Sequence, residues 1–324
     1  MRPRVGLVVS SPDSPGVHPD AEIALVSQAL DQQGLEPVVA PWTDSVDWSA
    51  LSLVVLKSPW DYSLRTQEFS AWLASVAPVA TVLNHPGLIS WNFDKRYLGD
   101  LDAAGVAVTP FVCVASAAAA RAELARRAGR RVVVKPTVSA GSRNTGLFEA
   151  DDPRAVELVE LILRLGKTPM VLPALDSVER VGEHGLIFFG GEFSHCGRKG
   201  PILERGGSYR GGAYTERIDV GTPAPDEIEL ARSCLRAASD IAHGRGVPEE
   251  FAVPLYARID VARDEDGAPR VLEAELFEPS YFLRLDPSSA ERFAAAVSGI
   301  VPSARERERR MNRVRGGSAN PWEA

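Results

Sequence analysis

Short apolar runs alternate with amphipathic stretches through the first part of the chain. Val5 to Val9, Pro37 to Ala40 and Leu53 to Leu56 have strand length, whereas Ala21 to Gln33 repeats apolar positions at helical spacing until Gly34 stops it. All-apolar strands separated by helices predict a small parallel sheet covered on both faces, an open α/β unit over residues 1–88. Ligands of such sheets sit beyond the carboxyl ends of the strands. That rule places Ser10 to Gly16 and Lys57 to Tyr62 beside a cleft, although a simple turn at Pro59 accounts for the second segment equally well.

The pattern then predicts a helix over Asn92 to Ala104 with Lys95 on its first turn, a strand over Val106 to Phe111 and a helix over Ala115 to Arg127. A strand over Val132 to Lys135, a Gly/Ser loop from Val138 to Gly146 and a helix over Pro153 to Leu165 complete a unit at 89–167. From there strands dominate: Met170 to Pro173, Gly185 to Phe189, Glu192 to Arg198, Leu255 to Val261 and Val271 to Leu276, around one helix from Asp226 to Gly244. This sheet-rich stretch predicts an α+β lobe at 168–302. The arginine-rich segment within 303–324 reads as a solvated tail, with an oligomer contact as the alternative.

Composition narrows the ligand more than the fold. With 45% hydrophobic and 24% charged residues among 324, the chain can fill several apolar cores. Its net charge of -7 gives no overall attraction to nucleic acid or an anionic membrane, so an anionic ligand must be held by local basic groups. The first apolar run is too short for a signal peptide, and no run approaches membrane-spanning length, so a cytoplasmic protein is expected. Cys113, Cys196 and Cys234 are far apart and lack C-x-x-C spacing, which predicts three buried structural thiols.

Three segments carry candidate chemistry. Ala257 to Arg263 and Pro269 to Leu276 flank a polar turn and read as a hairpin, with Asp260 opposite Val271 and Arg258 opposite Glu273. Period-two alternation then puts Asp260, Glu273 and Glu275 on one face. Clustered carboxylates repel unless a cation compensates, and a few hard oxygen ligands suit Mg²⁺. A solvated sheet face with Arg258 as counter-charge explains the same residues about as well. Lys135 closes a buried strand ahead of the Gly/Ser loop, whose backbone N–H groups suit phosphate oxygens, though an ordinary surface hairpin is the simpler reading. Finally, Arg198, Lys199 and Arg210 gather positive charge near flexible glycines, as a polyphosphate or carboxylate would require. His195 on the same strand reads as a packed histidine rather than a proton shuttle.

The order of these features resembles the ATP-grasp superfamily from residue 85 to about 285. The phrases Trp91-Asn92-Phe93-Asp94-Lys95-Arg96-Tyr97-Leu98, Val134-Lys135-Pro136 with Ser139-Ala140-Gly141-Ser142, and Phe193-Ser194-His195 with Arg198-Lys199-Gly200-Pro201 are similar to the glutathione-synthetase-like and RimK-like branch. The set is also similar to that of the O-ureido-serine cyclo-ligases of cycloserine biosynthesis. The resemblance implies two lobes sandwiching ATP, with Lys95 and Lys135 on its phosphates and Ser139, Gly141 and Ser142 in a loop closing over them. Leu172 would lie at the adenine hinge, with Glu179 and Glu183 near ribose and phosphates. Arg210, Arg258 and Lys199 would steady the transferring phosphoryl group. Asp260, Glu273 and Glu275 would hold Mg²⁺, or Mn²⁺ in its place, although relatives often carry Asn at the last position. Glu278-Pro279-Ser280 replaces a smaller ending and would shape the acceptor side, with Trp60, Tyr62, Arg198 and Tyr209 nearby. The implied reaction is ADP-forming ligation of a small amino-acid-like carboxylate to an amine, in a homodimer on general grounds. The alternatives are a nucleotide-binding protein without turnover and a phosphotransferase.

Overall fold

The computed structural model describes residues 2–201 and 217–301. Arg210, Tyr209 and the segment 303–324, all singled out by the sequence, lie outside the described residues.

Four strands, β1 (Arg4–Val9), β2 (Glu36–Pro41), β3 (Leu53–Ser58) and β4 (Val82–Leu83), form a parallel sheet in the order β2-β1-β3-β4. Every residue of β3 is buried, as a strand covered on both faces must be. Helices α1 (Ile23–Gln32) and α2 (Thr66–Val76) accompany it. The periodicity anticipated α1 but not α2. At the end of β3, Lys57 is fully buried, and its Nζ lies 2.8 Å from Asp20 and 3.1 Å from Glu22. The Glu22 carboxylate also accepts the backbone N–H groups of Tyr281 and Leu283, tying this sheet to the far end of the chain.

The predicted helix over Asn92 to Ala104 is shorter than expected: α3 (Pro86–Asn92) ends where it was to begin, α4 (Tyr97–Ala103) forms the rest, and Lys95 stands in the turn between them. The interruption has a cause. Asn92 donates to the carbonyl of Ala274 and accepts from the N–H of Leu276, while the Tyr97 hydroxyl accepts from the N–H of Ala274. Both ends of the turn are thereby pinned to one strand. Val106 to Phe111 does not form the predicted strand; only Val108 bridges to Val271, while Thr109 donates to the Val271 carbonyl.

A second sheet, β5 (Val112–Cys113), β6 (Arg131–Pro136), β7 (Gly146–Glu149) and β8 (Pro169–Pro173), is antiparallel in the order β5-β8-β6-β7. Alternation along β6 divides its faces: Val132 and Val134 join a core with Leu158, Val159 and Ile162 of α6 (Pro153–Arg164), whereas Val133 and Lys135 line the opposite side. Helix α5 (Ala117–Arg126) packs against α6.

After the short α7 (Asp176–Val181), the third sheet contains β9 (Glu183–Phe189), β10 (Glu192–Lys199), β11 (Ile218–Val220), β12 (Tyr256–Arg263) and β13 (Pro269–Glu275), in the order β11-β10-β9-β12-β13. Helix α8 (Pro225–Gly244) packs on β12 and β13, burying Ala231, Cys234 and Ala238 in one core with Ile259 and Ala274. Because β13 is an edge strand, its outer backbone groups would otherwise be unpaired; Asn92 and Tyr97 satisfy them. Cys196 and Cys234 are buried as expected, but Cys113 is only partly buried, because its two-residue strand lies at a sheet edge.

Candidate active site

Between the second and third sheets, with the first closing one side, lies a cleft of about 460 Å³. The sheet-facing residues Lys135, Lys199, Arg258, Asp260, Glu273 and Glu275 line it, together with Lys95.

The hairpin register differs from the sequence expectation. Asp260 pairs with Glu273 and Arg258 with Glu275, whereas Val261 pairs with Val271, so Leu272 is an extra residue. The turn adds a second offset, since Asp264 donates its N–H to the Ala268 carbonyl. Two one-residue offsets restore the original parity, so the face stands although the partners change.

The charges interlock. Glu273 lies 3.1 Å from Lys95 Nζ and 3.3 Å from Lys135 Nζ, and Lys95 also donates to the Ser139 carbonyl at 3.0 Å. Burial alone would push the Glu273 carboxyl up, but the two lysines outweigh it and hold it at about 2. Arg258 forks onto both oxygens of Asp260, at 2.8 and 3.0 Å, and reaches Glu275. Lys199 donates to Asp260 at 2.9 Å and to Glu183. Burial raises the Asp260 carboxyl, yet Arg258 and Lys199 bring it below its ordinary value. Glu275 goes the other way: burial, only partly offset by Arg258 and reinforced by Glu278, Asp260 and Glu273, pushes it up to about 8. Gly185 faces this cluster, where an added Cβ would lie 2.8 Å from Phe282 and 3.1 Å from the Asp260 carboxylate.

The other predicted residues divide. Ser139, Gly141 and Ser142 line the cleft, with Gly141 and Ser142 in left-handed backbone conformation. Leu172 lines it with Pro173, Ala174 and Leu175, while Met170 is buried behind them. Glu179 and Glu183 also face it, Glu179 bonded to Arg131 and Glu183 to Lys199. Arg198 does not join, since strand alternation turns it to solvent beside Asp219. His195 is packed, between Ser194 Oγ at 2.9 Å and the Tyr281 carbonyl at 2.8 Å. The sequence reading missed His18, which lines the cleft from an unpatterned loop, Thr109, which lines it from the segment expected to be a strand, and the loop-bridging role of Arg143, which donates to the Gly16 carbonyl at 3.1 Å.

Among the described residues no three acidic, histidine or cysteine side chains converge as ligands for one metal ion. The expected trio instead leans on lysines and an arginine. The donor set nevertheless suits Mg²⁺, which takes one or two carboxylates and fills its remaining positions with water and phosphate oxygens. Burial first, then the neighbouring carboxylates of Glu278, Asp260 and Glu273, raise the Glu275 carboxyl despite Arg258, and a dication would relieve both effects. No helix among the described residues is long and apolar enough to cross a membrane.

A family described as the N-terminal domain of D-cycloserine synthetase DcsG matches residues 5–84. The cycloserine biosynthesis protein DcsG of Streptomyces lavendulae is 32% identical over 304 residues, covering 91% of this chain and 98% of that protein. A crystal structure of D-cycloserine synthetase DcsG superposes with a TM-score of 0.82 at 33% identity, over 92% of this chain and 99% of the other. The D-alanine–D-alanine ligase of Bacillus anthracis matches with a TM-score of 0.64 at 15% identity, over 94% and 99% of the two chains, which shows a shared fold alone.

Proposed function

The chain belongs to the DcsG family of ATP-grasp ligases, ATP-dependent and ADP-forming, and we propose that it acts on a small amino-acid-like carboxylate that carries its own nitrogen nucleophile, O-ureidoserine being the first candidate. The observation that carries this reading is Glu273 held by both Lys95 and Lys135, which gathers two lysines from separate elements and the acidic hairpin on one cleft.

On this reading, the nucleotide lies between the units at 89–167 and 168–302, its base against Leu172 and its ribose and phosphates near Glu179 and Glu183. Lys95 and Lys135 exchange Glu273 for phosphate oxygens, while the backbone of Ser139 to Ser142 covers them. Arg258, Lys199 and Arg210 neutralise charge on the transferring phosphoryl group. Asp260, Glu273 and Glu275 are the residues that would hold Mg²⁺, which when bound screens the polyphosphate and polarises the γ-phosphoryl group. The substrate carboxylate takes the phosphoryl group, and a nitrogen then displaces phosphate from the resulting acyl phosphate. Closure of the 139–146 loop keeps water from that intermediate.

The test is substrate-dependent ADP release by the purified chain with ATP, MgCl₂ and O-ureido-D-serine or its L isomer, with products identified by mass. A cyclised product supports the ligase, a phosphorylated one a phosphotransferase. ATP binding with no ADP release for any amino acid tried points to a binding protein. Chelation by EDTA is expected to abolish turnover.

A further inference from the structure

The Glu278 carboxylate makes no salt bridge in the network above, although its charge helps to raise Glu275. It is 7% exposed, lines the cleft, and is held from the first unit: the Tyr62 hydroxyl donates to Oε1 at 2.7 Å, and Trp60 Nε1 donates to the Glu278 carbonyl at 2.8 Å. Its second oxygen, Oε2, is buried without a hydrogen-bond partner among the described residues. Buried carboxylate oxygens without a donor are costly, so this one is placed for a donor that arrives with a ligand. Asp260, Glu273, Glu275, Glu179 and Glu183 each sit against a lysine or arginine; Glu278 alone among these acids is fixed by neutral groups.

We propose that Glu278 Oε2 accepts the N–H of the substrate's nucleophilic nitrogen and takes its proton as that nitrogen attacks the acyl phosphate. This rests on the ligase reading and deepens it. A nitrogen that attacks must be neutral, must lie beside the phosphoryl cradle and must lose one proton to become an amide. In the step, the C–N bond forms, the bond from the acyl carbon to the phosphate oxygen breaks, and phosphate leaves with that electron pair. The proton moves from nitrogen to Oε2 and is then passed to the departing phosphate or to solvent. No other co-reactant is needed.

The substitution Glu278→Gln keeps an acceptor for Tyr62 and removes the base. It is compared with the unaltered chain using ATP, MgCl₂ and O-ureido-D-serine, with external hydroxylamine present or absent. Captured hydroxamate reports acyl-phosphate formation, and cyclised product reports the second step. The expected result is a loss of about 10²-fold or more in product formation at saturating substrate, with hydroxamate retained within about threefold. Tyr62→Phe frees the carboxylate's orientation without removing it, and is expected to cost product about tenfold while sparing hydroxamate. Equal loss of hydroxamate and product in Glu278→Gln overturns the proposal and assigns the residue to activation. Unchanged product overturns it too, as does a rise in substrate KM at constant kcat, which marks an anchor for an unreacting group. Absence of ADP release and hydroxamate from the unaltered chain instead removes the ligase reading, and this inference with it.

Discussion

The Glu273 carboxylate lies 3.1 Å from the Nζ of Lys95, two residues brought together from opposite ends of the cleft-forming sequence. With Lys135 as its second partner, Glu273 holds both ammonium groups at the cleft wall. Glu273→Gln is expected to lower the rate of ADP release by about 10²–10³, the loss that follows when one preorganised electrostatic group is removed. Far-ultraviolet circular dichroism should be unchanged. Ligase turnover near that of the unaltered chain would remove Glu273 from the mechanism.

Arg258 gives a different expectation, because it supports structure as well as chemistry. Its guanidinium binds Asp260 through two nitrogens and also reaches Glu275, a geometry that a lysine ammonium cannot reproduce. Arg258→Met would leave the buried Asp260 and the partly buried Glu275 short of a partner and is expected to destabilise the fold by about 3 kcal/mol. Denaturant midpoints measure this, and Arg258→Lys should recover only part of it. A midpoint unchanged in Arg258→Met would show that Lys199 alone can hold Asp260.

Much of this arrangement could be read from the chain, and the failures have physical causes. Apolar runs marked β1, β3 and β6, because a strand buried on both faces or facing one helix leaves a local signature. Alternation also placed Asp260, Glu273 and Glu275 on one face. Their cross-strand partners were wrong, since neither the wider turn at Asp264 to Ala268 nor the bulge at Leu272 has a composition signal. The single helix expected over Asn92 to Ala104 failed because Asn92 and Tyr97 bind a strand about 180 residues away, and no local propensity reports such a bond. The same holds for Tyr62 and Glu278, 216 residues apart in sequence. Arg198 and Lys199 were grouped by charge, whereas period two sends them to opposite faces.

The raised carboxyl of Glu275 predicts how stability without ligands depends on pH. An acid at about 8 when folded, against roughly 4.5 when unfolded, binds more protons in the native state between those values. Stability from this group is therefore full below about pH 4.5 and declines as pH rises toward 8, by at most about 1.4 kcal/mol per pH unit. Glu278, pushed up to about 7 by burial despite its bond from Tyr62, adds to the same trend. Glu275→Gln should flatten the decline and be at least as stable as the unaltered chain at pH 8.5. MgCl₂ with ADP should reduce the pH dependence of the unaltered chain, because bound cation compensates the carboxylate. Urea midpoints across pH 5.5 to 8.5 decide it; a steeper decline in Glu275→Gln would refute the assignment.

Arg143 offers a test of closure that leaves the chemical groups untouched. It belongs to the loop carrying Ser139, Gly141 and Ser142, and it donates to the carbonyls of Pro15 at 3.4 Å and Gly16 at 3.1 Å across the cleft mouth. That contact ties the loop to the first unit. Because the arginine is only half-buried and its two hydrogen bonds lie at the surface, its removal should change stability by no more than about 1 kcal/mol. Loss of the link should let the loop open more often, raising the KM for ATP several-fold and releasing more acyl phosphate to water. Arg143→Ala should therefore form excess ADP relative to ligated product, a ratio obtained by measuring both in one reaction. Tight coupling of ADP to product in Arg143→Ala would mean that the glycine loop closes without help from residues 15–16.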